Sequence, residues 1–178
     1  MAAVVLDGQP IGRFQLCDFR ADTFTSSAEF LEALDSGSAA TFAVGETICA
    51  HWEDVEDITG YGDILELHRA WIEPRHSKPG RLAGAIRATV AALHPAHALM
   101  ILKAFPLEYE GKVTEENGLA FERRQTALMR YYASSLGMLP FPDDTGESGW
   151  MYAVPERLRG IDCLTPSPRS AVPIIDWI

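Results

Sequence analysis

Two proton acceptors stand two residues apart in the middle of this chain, and a cluster of cations follows them. Glu66 and His68 fall in the apolar, β-branched and aromatic run Leu65–Ile72. Strand alternation is expected to place Glu66, His68, Ala70 and Ile72 on one face and Leu65, Leu67, Arg69 and Trp71 on the other. A carboxylate and an imidazole on one face can take a proton from a reacting group, directly or through water. Hydrogen bonding within an ordinary strand is the competing role for the same pair.

Immediately downstream, Arg69, Arg75, Lys78, Arg81 and Arg87 surround the turn Ser77-Lys78-Pro79-Gly80, with Glu73 among them, in a chain whose formal charge is −10. The first N–H groups of a helix have no partners within it and carry about half a positive charge. A strand, this turn and a helix start therefore predict an anion site suited to phosphate or pyrophosphate. Solvated basic residues on an unremarkable turn are the alternative.

The elements that must position these groups follow from the local pattern. Pro74 cannot donate to a sheet ladder and ends the strand. From Arg81, Leu82, Ala85, Ile86, Thr89, Val90 and Leu93 recur at helical spacing. Leu99–Leu102 reads as a strand buried on both faces, and Leu119–Leu136 as a helix with Phe121, Leu128, Met129 and Tyr132 inward and Gly137 at its end. Upstream, Asp7-Gly8 between two β-rich runs predicts a hairpin. Thr25-Ser26-Ser27 predicts a helix cap ahead of Phe30, Leu31 and Leu34, and the helix is expected to stop at Asp35–Ser38. Ala39–Ile48 is ambiguous; strands over Thr41–Val44 and Ile48–Trp52 are the expectation.

The stretch Ile72-Glu73-Pro74 leading to Gly80 resembles motif A of the GNAT acyltransferases, a strand ending V-x-P that passes through [QR]-x-x-G-x-[GA] into a helix. Gly80 matches the first Gly; Ser77 and Leu82 stand at the Gln/Arg and second Gly or Ala places. Thr126–Met138, ending Tyr-Ala-Ser-Ser-Leu-Gly-Met, resembles the later aromatic-Tyr-x-x-Leu-Gly-Phe signature. Both pieces keep the family's order over about residues 63–154. The resemblance implies a single α/β GNAT-like domain at 1–154, a mixed twisted β-sheet flanked by helices. A Pro-rich extension at 155–178 would pack on the domain or on a partner subunit.

The same resemblance implies an acyl-CoA-dependent N-acyltransferase moving acetyl from acetyl-CoA to a primary amine, expected to be a cationic small molecule or a peptide amine. Glu66 is the first candidate base and His68 the second. Trp71 and Ile72 would offer backbone groups to the thioester and pantetheine. Lys78, Gly80, Arg81, Leu82, Ala83 and Gly84 would hold the pyrophosphate, with no metal. The family's acid is a Tyr four residues before the Gly, where this chain has Ala133; Tyr132, one residue early, is the candidate. A leucine at position 82 is expected to crowd the phosphate. The alternative is a GNAT-fold protein that has lost catalysis and acts as a binding or interaction module.

Composition bounds the rest. The first sixty residues hold eleven acids against two bases, an expected attraction for a cationic amine if they face the acceptor. A pI near 4.9 argues against nucleic acid as partner. No apolar run approaches a membrane span and the first residues do not read as a signal peptide, so a cytoplasmic protein without membrane contact is expected. Three spaced cysteines predict free thiols. Two His in His94–His97 read as a connection between elements rather than a metal site. The apolar end, Pro173–Ile178, is expected to dock on the domain or on a second copy, making a homodimer possible.

Overall fold

Asp7 and Gly8 both adopt positive φ, +50° and +77°, the conformation that a tight two-residue hairpin turn requires. They join strand β1 (Ala2–Leu6) to β2 (Gln9–Phe19). The fold is described from a computed structural model, over residues 1–20, 24, 26–142 and 149–168.

Helix α1 (Ser27–Asp35) starts at Ser26, whose hydroxyl accepts from the Glu29 N–H at 3.3 Å, and it buries Phe30, Leu31 and Leu34. Where two strands were expected, one helix, α2 (Ala39–His51), forms instead, capped by the Ser38 hydroxyl accepting from Thr41 N–H. Its buried residues, Val44, Gly45, Thr47, Ile48, Cys49, Ala50 and His51, extend around the helix. A helix enclosed on most sides leaves no 3.6-residue period to read. Gly45 permits the contact with α1, since a Cβ there would lie 2.9 Å from a Leu34 methyl. A short helix, α3 (Glu56–Thr59), precedes the central strand.

Strand β3 (Ile64–Ile72), helix α4 (Arg81–Leu93) and strand β4 (Leu99–Lys103) form a crossover unit, with β3 and β4 parallel. Helix α5 (Gly118–Leu136) ends at Gly137, φ +72°, whose N–H bonds to the Ala133 carbonyl while Met138 N–H reaches that of Tyr132. Strands β5 (Leu139–Pro140) and β6 (Trp150–Ala153) close a six-stranded sheet of order β1-β2-β3-β4-β6-β5. The protein is thus an α/β domain, a mixed sheet with helices on both faces.

Each face has its own core. Phe19, Ile64, Leu99 and Ile101 meet Phe30, Leu34, Val44 and Ile48 of α1 and α2. On the opposite face Leu65, Leu67, Met100 and Leu102 meet Leu82, Ile86 and Val90 of α4 and Tyr132 of α5. The described part of the Pro-rich segment lies against the first core: Leu158 and Leu164 are buried in it, and the Trp52 indole donates to the Cys163 carbonyl at 3.0 Å. Pro173–Ile178 lies outside the described residues. No helix among the described residues is long and apolar enough to cross a membrane.

Candidate functional site

The central strands stay together for only three residue pairs. Ile64, Leu65 and Glu66 lie opposite Leu99, Met100 and Ile101. Beyond Glu66, β3 has no strand partner on that side among the described residues, while β4 continues to Lys103 on β6. The edge of β3 from Leu67 to Ile72 therefore offers backbone donors and acceptors to whatever occupies the gap.

Glu66 stands where the strands part. It is only 5% exposed, and its Oε1 lies 2.9 Å from His68 Nδ1. An ionised carboxylate can only accept, so Nδ1 carries the proton of this bond, and in the neutral imidazole Nε2 keeps the lone pair. Cys17 faces Glu66 across the β2–β3 pair. Burial, and after it the Glu66 charge, raises the Cys17 thiol's pKa, so this sulfur is held as a thiol.

The strict alternation expected for β3 does not hold. Gln15 pairs with Arg69 and Leu16 with Leu67, which leaves His68 as one extra residue on β3. A bulge of this kind shifts the phase of the strand beyond it. Leu65, Leu67, Ala70 and Ile72 consequently pack together in the α4–α5 core, while Arg69 and Trp71 are exposed on the side that carries Glu66. Gly12 lets β2 approach here, because a Cβ would lie 2.6 Å from the Trp71 carbonyl oxygen.

The helices α1 and α2 cover only the half of this face that holds Phe19, Ile64 and Ile101. The rest is a groove of about 1060 Å³, lined by Arg13, Gln15, His68, Arg69 and Trp71 among others, with Leu107 at its wall. The segment after β4 is the loop expected at 110–118, preceded by a short 3-10 turn. Its Glu110 pairs with Arg69, its Glu108 lies 3.3 Å from Arg124 of α5, and Phe105 and Tyr109 flank the Phe121 ring. It ties α5 to β3 alongside the groove.

The acids do not gather at this groove. Asp18 lies opposite Leu65 and pairs with His94 at 3.4 Å, and Asp54, Glu56 and Asp57 sit at α3, before β3 begins. They belong to the amino end of β3, whereas the groove lies toward its carboxyl end. His97 Nδ1 donates to the His94 carbonyl at 2.8 Å, so both histidines of that connection are engaged.

At the turn, Gly80 takes φ +76° and α4 begins at Arg81. The first intrahelical bond runs from Gly84 N–H to the Gly80 carbonyl at 2.7 Å, and Arg81 N–H goes to the Lys78 carbonyl. Those of Leu82 and Ala83 precede the helical ladder. Leu82 does not crowd this end: its side chain is 8% exposed and lies in the α4–α5 core beside Ala83 at 0%. Gly84 has open space where a Cβ would be.

The cations around the turn are mostly engaged. Arg75 pairs with Glu73 at 3.0 Å, Arg81 donates to the His76 carbonyl at 2.8 Å and Arg87 donates to the Ser135 carbonyl. Lys78 makes no side-chain bond to any described residue and is exposed beside Gly80.

Tyr132 is in the other layer. It is 8% exposed among the residues of the α4–α5 core and stacks edge-on with Tyr131 at 5.4 Å. Burial, with a smaller contribution from Tyr131, pushes its pKa up to about 12. Ala133, the next residue, is exposed. The structure therefore brings Glu66 and His68 together and leaves Tyr132 on the opposite side of the sheet.

Arg13, Gln15 and Cys17 of the β1–β2 hairpin join the site without having been singled out for it. Their placement depends on the β2–β3 register, which no local motif encodes. No family model matches this chain, and neither does any curated protein.

Proposed function

We propose that the protein is an acyl-CoA-dependent N-acyltransferase that moves an acetyl group directly from acetyl-CoA to a primary amine. The observation that carries this reading is the Glu66–His68 pair at the parting of β3 from β4, with His68 on the groove and the carboxylate buried behind it. The pair works as one base. His68 Nε2 takes the proton of the amine as its nitrogen bonds to the acyl carbon, and Glu66 stabilises the imidazolium through Nδ1–H. The sulfur leaves with the electrons of the broken C–S bond. Tyr132, neutral and buried, reaches it as a proton donor only through the gap between the strands.

Acetyl-CoA supplies the activated acyl group. The residues that fit it are the backbone edge at Trp71 and Ile72 and the α4 start at Gly80–Gly84. There Leu82 and Ala83 offer N–H groups, Gly84 leaves room for close approach, and Lys78 offers a cation. A second reading is a binding module of the same fold, favoured by the engagement of Arg75, Arg81 and Arg87 with the chain itself.

Calorimetric titration with acetyl-CoA, combined with thiol release in the presence of primary amines, separates the two. Gly84→Glu improves helix propensity by up to about 1 kcal/mol and suits the first turn's dipole, so its melting temperature should hold or rise. It nonetheless puts a negative side chain where the pyrophosphate would sit and should abolish binding. Glu66→Gln should retain binding and lower thiol release about a hundredfold. No binding by the unmodified protein would remove the acyltransferase reading; binding with no thiol release for any amine would favour the module.

A further inference from the structure

We infer, resting on the acyl-transfer reading above, that the acceptor amine is an amino-acid-type molecule whose carboxylate is held by Arg13. The ionised side chains lining the groove are both arginines, Arg13 and Arg69, and no Asp or Glu among the described residues lines it. Arg69 is already paired with Glu110. Arg13 is exposed and bonds to no described residue, so its guanidinium keeps its full donor fork for a ligand. That fork matches a carboxylate with two parallel hydrogen bonds.

Position supports the assignment. Arg13 is the register partner of Trp71, and the two lie on the open side of the sheet together with His68 and Arg69. Three steps along the strand separate His68 from Trp71, at most about 10 Å at about 3.3 Å each. The long Arg13 side chain can turn back over part of that distance. An amine at His68 Nε2 and a carboxylate at Arg13 then belong to one small molecule, with its apolar body between Trp71 and Leu107.

Charge sets the sign of the preference. The chain carries −10 overall, but its acids at Asp18 and α3 are at the other end of β3 from the groove. At the groove itself Arg69 is paired with Glu110 and the Glu66 carboxylate is bonded to His68, which leaves Arg13 as the unengaged charged side chain of the lining. A polycation brought to this groove would meet Arg13 and the already paired Arg69, whereas a zwitterion would place its carboxylate on the unpaired cation.

The test compares amines that differ only in the carboxylate. Thiol release from acetyl-CoA is measured with phenylalanine against phenethylamine, leucine against isoamylamine, and spermidine. The carboxylated member of each pair should have the higher kcat/KM by about tenfold, and Arg13→Gln should bring the phenylalanine to phenethylamine ratio close to one by raising KM. Preference for phenethylamine, isoamylamine or spermidine would overturn the proposal while acyl transfer stands.

If no amine releases thiol, the acyl-transfer reading fails and the carboxylate site is decided by binding alone. N-acetylphenylalanine should then bind about tenfold more tightly than N-acetylphenethylamine, with the difference lost in Arg13→Gln. Equal affinity for the two, or binding of neither, would overturn it.

Discussion

The two halves of β3 share a backbone and divide the work of the protein. Ile64, Leu65, Glu66 and Leu67 are all buried, the first three between β2 and β4 and with helices packed on both faces of the sheet. From His68 to Ile72 burial falls and alternates, with Arg69 and Trp71 exposed. Composition does not separate them, since Trp71 is as apolar as anything in the first half. What changes is the surroundings: β4 leaves after Glu66, α1 and α2 end their cover, and the bulge at His68 turns the next side chains over. The first half holds the sheet together and the second presents a face.

The largest effect that would test this division is loss of stability in the first half. Leu65 is 0% exposed between β2 and β4 and faces the α4–α5 core. Leu65→Ala removes buried methyl groups and leaves a cavity, and should cost about 2–5 kcal/mol in denaturant unfolding. A cost under about 1 kcal/mol would mean that this half packs far more loosely than its burial implies.

Next in size is an alkaline effect on the same core. Tyr132 is neutral and buried, and its pKa is raised from an ordinary 10.0 to about 12. Its contribution is fully present below pH 10 and is lost as pH climbs from 10 to 12, because the unfolded chain gives up the phenolic proton first. Two pKa units correspond to roughly 3 kcal/mol. Tyr132→Phe has no such proton to lose, so its stability should decline less over that range in pH-dependent unfolding. Cys49, raised by burial to about 11, contributes its own loss between pH 9 and 11 in both proteins. Parallel alkaline curves would mean that the Tyr132 hydroxyl is solvated.

These elements were not equally legible. Hairpin, first helix cap and the crossover unit were readable because each has a local cause: Asp7-Gly8 with positive φ, Ser26 at a helix start, Gly137 at a helix end. Helix α2 was not, since burial on most sides erased its period. Glu66 and His68 could be placed together from sequence because they are two residues apart and His68 is the bulged residue itself, with the change of phase falling after it. The face beyond them could not. One unpaired residue reverses every later side chain, and nothing in His68-Arg69-Ala70-Trp71 announces a bulge. The basic cluster was misleading in a different way: Arg75 and Arg81 are taken up by acceptors a few residues away and Arg87 by the Ser135 carbonyl of α5, while the unengaged Arg13 came from the distant hairpin. Sequence spacing shows where charge is dense, and only the fold shows which charges are still available.

The smallest expected stability effect is in the second half of β3. Trp71 is the bulkiest residue of the strand, yet it is 48% exposed and lines the groove instead of filling a core. Burial area alone would make Trp71→Ala costly; the environment predicts a loss of only about 0.5 kcal/mol. The same substitution removes the flat apolar surface beside Arg13, so KM for an apolar acceptor should rise severalfold while the unfolding midpoint hardly moves. Set against Leu65→Ala, the pair gives a direct measure of the division: a large residue whose loss is felt by the ligand, and a smaller one whose loss is felt by the fold. If Trp71→Ala destabilises the protein as much as Leu65→Ala does, the second half of β3 is part of the core and the groove closes over it in solution.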